Sequence, residues 1–324
     1  MKVLVTGGTG FIGSHLTEAL LRKGLQVRCL ARNPDKLGWL GGLPVETVKG
    51  DCTDPASLEA AVAGVDYIFH AAGLTKAADP KDYYRVNAEG TRNLCQAAKR
   101  AGGLKKLVHI SSQAAAGPSE KGRPRRERDA EAPVSDYGRS KLLGERYASG
   151  YKDSLNIAIL RPTSVYGPRD KDIFTFFKMV SRGFRASFRQ ERLISVCYVS
   201  DLVDAAIAAA EADTESGETF FIGEPEPYSW DAMGEAIAEA LGVRVRRVVV
   251  PIPLLYAVAL AAEGVASLAG KPALLNRQKM AEIKQRYWVV DVSRARERLG
   301  FLAGTDFKTG ARAAADWYRQ NAWL

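Results

Sequence analysis

Tyr137-Gly138-Arg139-Ser140-Lys141 sets a phenol and an ammonium four residues apart, the spacing that brings both to one face of a helix. An isolated tyrosine titrates near pH ~10 and is a poor proton carrier at neutrality. A neighbouring ammonium favours the phenolate and makes the phenol a usable acid and base. Tyr-x-x-x-Lys is common, and alone it reads equally well as a helix-surface pair. A second feature singles it out. Ile110-Ser111-Ser112 closes an apolar run upstream, and a hydroxyl at the carboxyl end of a strand would hydrogen-bond the oxygen the tyrosine acts on. The expected catalytic set is Ser112, Tyr137 and Lys141.

A second constellation lies near the start. Thr6-Gly7-Gly8-Thr9-Gly10-Phe11-Ile12-Gly13 satisfies both GxGxxG (Gly8, Gly10, Gly13) and the wider GxxGxxG (Gly7, Gly10, Gly13). Between a strand and a helix, glycines permit a tight turn, close approach of a pyrophosphate and close helix–strand packing. The first helical amides, with the positive end of the helix, would then hold the anion. The plainer alternative is a tight packing turn. The next strand ends Leu30-Ala31-Arg32-Asn33, with Ala31 where a carboxylate would hold ribose hydroxyls. Arg32 suits a 2′-phosphate, with Lys36 assisting, so NADP is expected over NAD; Asp35 stands too far along the loop to reverse this. The alternative is a solvent-facing loop arginine.

These groups need a scaffold, and the chain reads as one. Strands are expected at Lys2–Thr6, Gln26–Ala31, Val45–Lys49, Tyr67–Ala71, Lys106–Ser111 and Asn156–Arg161. Helices are expected near Ile12–Lys23, Asp54–Val62, Tyr84–Ala101 and Ser135–Tyr151. Such alternation predicts an α/β fold, a doubly wound parallel Rossmann sheet with ligands beyond the carboxyl ends of its strands. Later, Val199–Ala212 reads as a helix, Glu218–Gly223 as a strand returning to that sheet, and Thr309–Asn321 as a last helix. The expected division is residues 1–165 plus about 199–223 for the cofactor, and 166–198 plus 224–324 as a smaller interleaved substrate domain.

With these motifs assembled, the chain resembles the extended short-chain dehydrogenase/reductase family over nearly its whole length. The resemblance rests on TGGTGFIG (6–13), GDCTD (50–54), HAAG (70–73), VNAEGTRNL (86–94), ISS (110–112), YGRSK (137–141), RPTSVYGP (161–168) and RARERLGF (294–301). It implies Ser112 as hydrogen-bond donor to the substrate oxygen, Tyr137 as general acid/base, and Lys141 tuning it and binding the nicotinamide ribose. It implies Asp51 and Cys52 beside the adenine, Ala71, Ala72 and Gly73 along the cofactor, and Pro162 and Thr163 on the cofactor side. Asn87 is expected near the site in a more structural role. Asp51 and Asn87 have plainer readings as helix caps, and His15, His70 and His109 are read as helix surface or satisfied core. A homodimer built on the helices near Tyr84 and Ser135 is also implied.

Two departures narrow the branch. Gln113-Ala114 stand where dehydratases of the family carry Asp-Glu, and Ser164 stands where nucleotide-sugar members carry Asn. RPTSVYGP is similar to the 3β-hydroxysteroid dehydrogenase and dihydroflavonol reductase branches. The expectation is an oxidoreductase interconverting a secondary alcohol and a ketone on a small or medium apolar substrate; a nucleotide-sugar 4-epimerase is the alternative. The most apolar later stretch, Val248 to Ala269, is broken by Pro251, Pro253, Glu263 and Gly264, and its part Val248–Ala262 reads as domain core, a pocket wall or a surface lying against a membrane. The basic run 120–128 must loop out beside the site, as a solvated loop or as a recruiter of acidic substrate.

Composition agrees. The 324 residues carry a net charge of +9, 46% apolar and 26% charged residues, which excludes disordered and fibrous classes. Four scattered cysteines and three histidines offer neither a disulfide framework nor a metal set. The charges are dispersed, without an aromatic-basic module, so no nucleic-acid partner is expected. No stretch has the ~20 uninterrupted apolar residues of a membrane span. The chain opens Met1-Lys2-Val3-Leu4-Val5, already strand-like, so no leader and a cytoplasmic setting are expected.

Overall fold

Val3, Leu4 and Val5 are fully buried, the mark of a strand covered on both faces. In the computed structural model, which describes residues 1–268 and 276–324, this strand, β1 (Lys2–Thr6), lies inside a seven-stranded sheet, next to its central strand. Its companions are β2 (Gln26–Ala31), β3 (Glu46–Lys49), β4 (Tyr67–His70), β5 (Lys106–Ile110) and β6 (Ile157–Pro162). The short strands β7 (Ser164–Tyr166), β8 (Phe184–Ser187), β9 (Leu193–Ile194) and β10 (Val196–Tyr198) precede β11 (Glu218–Ile222). The sheet order is β11-β6-β5-β4-β1-β2-β3, with every pairing parallel. The chain thus winds outward from β1 to β3, returns to β4 and winds the other way. The switch point falls between β1 and β4, where ligands of such sheets bind. Register levels the ends: Thr6 pairs His70, and His70 pairs His109.

Helices cover both faces. Leu16 and Leu20 of α1 (Phe11–Arg22), with Leu202 and Ile207 of α8 (Val199–Glu211), pack on Val3, Val5 and Val108. On the other face, α2 (Leu58–Val62), α4 (Gly90–Ala101) and α6 (Asp136–Ser149) bury Leu58, Leu94 and Ala148 against Leu4, Ile68 and Leu107. Two expected helices start differently. The one expected from Tyr84 begins as α3 (Pro80–Tyr83), because Asp79 caps the Lys81 amide and Pro80 starts the first turn. It passes through a π-helical turn, Tyr84–Glu89, before α4. The one expected from Asp54 opens as a 3-10 turn, Pro55–Ser57, capped by Asp54. Other boundaries shift by a residue or two.

Beyond the sheet, β7 pairs β10, β8 pairs β13 (Arg246–Val249), and β9 pairs both β12 (Tyr228–Ser229) and β14 (Tyr287–Trp288). A separate aromatic core of Tyr166, Phe177, Phe307 and Tyr318 joins β7 and α7 (Phe174–Ser181) to α9 (Trp230–Leu241) and α13 (Phe307–Gln320). Between them run α10 (Ile252–Leu268), α11 (Arg277–Lys284) and α12 (Ser293–Leu299). Ala269, the end of the expected apolar stretch, lies outside the described residues, as does the rest of 269–275 within the expected second domain.

Candidate active site

The carboxyl end of β5 runs into Ser112, which caps the short helix α5 (Gln113–Ala116) by accepting the Ala114 amide at 3.1 Å. Ser135 caps α6, accepting the Gly138 amide at 3.0 Å. A Cβ at Gly138 would run into the Ala114 carbonyl, so a glycine is what lets the start of α6 close onto α5. That packing sets Tyr137 against Ser112. Burial pushes the Tyr137 phenol up to about 12, the Ser112 hydroxyl partly offsetting it. Burial thus favours the protonated phenol here.

Lys141 follows one turn later, buried, its Nζ donating to the Ile110 carbonyl at 2.7 Å. Burial lowers its ammonium to about 8, against the pull of Glu145. A Cβ on Gly73 would lie 3.8 Å from that Nζ and 3.1 Å from Asn87 Oδ1. Asn87 sits in the π turn and is not a cap. It accepts the Leu74 amide at 2.7 Å and donates to the Leu74 carbonyl and to Ser140 Oγ. Ser140 in turn donates to the Tyr137 carbonyl at 2.7 Å. One side chain thus ties the Gly73 loop to the catalytic helix.

The glycine loop abuts the same place. Gly7 has φ +73°, and a Cβ there would sit 2.7 Å from the Ala71 carbonyl carbon. Thr6 accepts the amide of Ala71 through its carbonyl and that of Ala72 through its hydroxyl. Gly10 starts α1 without any side-chain cap, leaving the first-turn amides of Phe11, Ile12 and Gly13 to a ligand. Gly50 donates to Ala31, bringing Asp51 and Cys52 beside the end of β2. Asp51 accepts the Thr53 amide and hydroxyl, so it does not cap the following helix. Arg32 stands exposed beside Cys52 without a hydrogen bond or ion pair among the described residues. Lys36 lies exposed at the end of a turn begun at Asn33, equally unpartnered among them. Pro162 ends β6, and the next residue, Thr163, is buried with no partner for its hydroxyl among the described residues. Open helix amides, a cradle that any Cβ would fill and an orphaned hydroxyl at a strand end fit a dinucleotide.

Several participants had no sequence signal. Gln278 of α11 accepts the Asp136 amide at 2.8 Å and donates back to the Asp136 carboxylate, while Glu282 accepts from Ser135 Oγ at 2.8 Å. Glu282 raises and Lys279 lowers the Tyr137 phenol. Under the site, Arg161 grips Glu145 through its Nε at 3.0 Å and its Nη2 at 2.6 Å, and Glu145 accepts from Ser111. Only contacts between distant segments reveal these. His70 is satisfied, bonded to Thr6 and Thr91, but the stacked His109 beside it has both ring nitrogens unpartnered among the described residues. His109 therefore departs from the reading as satisfied core. His15, read as helix surface, is partly buried and bonds the Pro168 carbonyl. The basic run is a largely exposed loop that is tied down in part: Arg125 donates to the Ala116 carbonyl, Arg126 pairs Asp291 at 2.9 Å, and Glu127 accepts the Phe221 amide, while Lys121 and Arg128 stay exposed without an ion pair among the described residues.

A doubly wound sheet with an open glycine cradle at its switch point, and a Ser, Tyr and Lys gathered beside it, defines a dinucleotide-dependent enzyme. A family model described as NAD dependent epimerase/dehydratase family matches residues 3–223. The chain belongs to that family and is a nicotinamide-dinucleotide-dependent oxidoreductase of the extended short-chain type. It is 27% identical to a ceramide reductase of Caulobacter vibrioides, across 99% of this chain and 96% of the relative. It is 32% identical to a 3 beta-hydroxysteroid dehydrogenase/Delta 5-->4-isomerase of Mycobacterium tuberculosis, over 75% of this chain and 70% of that one. Among solved structures, a Thermus thermophilus UDP-glucose 4-epimerase complex with NAD superposes with a TM-score of 0.77 at 26% identity, covering 98% of this chain and 99% of that one.

Proposed function

We propose that the chain is an NADP-preferring reductase and dehydrogenase that interconverts a ketone and a secondary alcohol on a small or medium apolar molecule. What carries the reading is the convergence of Ser112, Tyr137 and the buried Lys141 beside Gly73. When bound, the reduced nicotinamide supplies a hydride to the carbonyl carbon. Ser112 holds the carbonyl oxygen, and Tyr137, protonated at neutrality, donates its proton to that oxygen. Lys141, buried one turn after Tyr137 on α6, would replenish and steady the phenol and meet the ribose beside Gly73. Gly7, Gly10 and the amides of Phe11, Ile12 and Gly13 would hold the pyrophosphate, Asp51 and Cys52 the adenine side, and Arg32 with Lys36 a 2′-phosphate. Ala71, Ala72, Asn87, Pro162 and Thr163 complete the cofactor wall.

The substrate reading draws on three features. The relatives are named for a ceramide and a hydroxysteroid. Gln113-Ala114 after Ser112 deny water elimination its carboxylates, and Ser164 replaces the amide that would grip a sugar diphosphate. On this reading the chain divides into a cofactor part and a substrate part, pairs as a homodimer through the helices at 80–101 and 136–149, and works in the cytoplasm. The test offers NADPH and a panel of apolar ketones, steroidal and long-chain, and follows the reduced-nicotinamide absorbance. A substrate-dependent fall is expected. Conversion of a UDP-sugar into its epimer with no absorbance change would overturn the reading in favour of an epimerase.

A further inference from the structure

Nine large apolar side chains are exposed among the described residues, and six of them lie on two adjoining elements: Phe184, Val248 and Val249 on the β8–β13 ribbon, and Leu254, Val258 and Leu260 on α10. Only Val250 and Pro251 separate β13 from α10. Helix α10 is inverted in pattern. Among its residues of described burial the buried one is the small Ala259, while Leu254, Ala257, Val258 and Ala261, at i, i+3, i+4 and i+7, form an exposed apolar stripe, with Leu254 58% and Val258 50% accessible. On the ribbon, Phe184 pairs Arg246 and alternates with Arg185, whose guanidinium is taken by Asp231 of α9. Phe184, Arg246 and Val248 therefore share the face turned away from α9. Val249, one residue on from Val248, lies on the other face with Arg185 and Arg247. Exposed apolar side chains gathered on two elements adjoining in the chain mark an interaction surface.

The charges around the patch say what covers it. Arg182, Arg244 and Arg246 are exposed and make no ion pair among the described residues. Of the carboxylates closest in sequence to Arg244 and Arg246, Glu239 is already paired with Lys308 and Arg312 and Glu235 with Arg185, and Glu263 on α10 is paired with Arg277. A second copy seated symmetrically on this face would bring the same arginines together. No described helix is long and apolar enough to cross a membrane. We propose that the β8–β13 ribbon and α10 dock on the surface of an anionic bilayer, the apolar side chains entering the interface and Arg182, Arg244 and Arg246 meeting headgroup phosphates.

The test is co-sedimentation of the full chain with vesicles of phosphatidylcholine, with or without phosphatidylglycerol. Strong, salt-sensitive binding to the mixed vesicles and weak binding to the neutral ones is expected. Leu254→Asp/Val258→Asp should abolish binding. Arg246→Glu, at a site without partners, should weaken binding to mixed vesicles about fivefold or more, and it carries the test should the double variant fail to fold. Failure of the wild type to bind mixed vesicles, or equal binding by Arg246→Glu, would overturn the proposal. So would a dimer, seen by light scattering, that the double variant dissociates while vesicles go unbound.

Discussion

Arg32 leaves the sheet at the end of β2 with its charge unspent, next to Cys52 and one residue beyond the small Ala31. A guanidinium so placed loses nothing by turning to a phosphate, whereas a carboxylate there would repel it. Arg32→Ser should weaken NADPH by about tenfold or more and leave NADH nearly unchanged, since a hydrogen bond to a charged group contributes about 1.5–3 kcal/mol. Titration of the two cofactors by nicotinamide fluorescence checks this; equal losses for both would assign Arg32 to the fold. Where Ser112, Tyr137, Lys141 and Arg32 stand was readable from sequence because their placement is local: helix pitch, strand ends and the residues just after them. The state of Tyr137 was not. Its rise to about 12 depends on burial by distant segments, and on charges from a helix well over a hundred residues away in the chain.

That helix, α11, acts at the scale of elements. Gln278 and Glu282 hold the two residues immediately before Tyr137, so an element outside the main sheet sets the start of α6. Glu282→Gln keeps an acceptor for Ser135 but removes the carboxylate that disfavours phenolate. The acidic limb of the oxidation pH profile should then move to lower pH, because Tyr137 more readily gives up the proton it must lose to act as base. A lower rate with an unmoved profile would mean a positional role alone. No motif announced this contact. The paired helices of the sheet were visible through alternation, while α11 lacks any marker beyond its Asn276 cap. The Asp79–Pro80 start of α3 was a local signal, one element earlier than the apolar pattern suggested.

The molecule as a whole carries two opposed responses to acid. Burial holds His70 at about 3 and His109 well below its ordinary value, so below pH about 6.5 the unfolded chain binds more protons and these residues lower stability. Burial raises Asp170 and Glu224 to about 7, so between pH 7 and their unfolded values the folded chain binds more protons and they raise it. The net profile should be shallow. His109→Leu should therefore gain stability over wild type as pH falls from 7 to 5, and Asp170→Asn should lose it, each by up to about 1.4 kcal/mol per pH unit. Urea midpoints across that range decide it; parallel curves for all three chains would contradict the assignment. Such balances, like the orphaned ring of His109, belong to the packed whole and leave no trace in a linear pattern. Sheet order and the cradle at its switch point did leave one, through the βαβ rhythm and the glycines. The central claim is that Tyr137 supplies the proton while the rest of the site holds the cofactor. Its most direct test measures Tyr137→Phe for NADPH-dependent ketone reduction and for NADPH binding together. Turnover should fall by about a hundredfold or more with binding unchanged. Near-normal turnover, or loss of binding alongside activity, would contradict it.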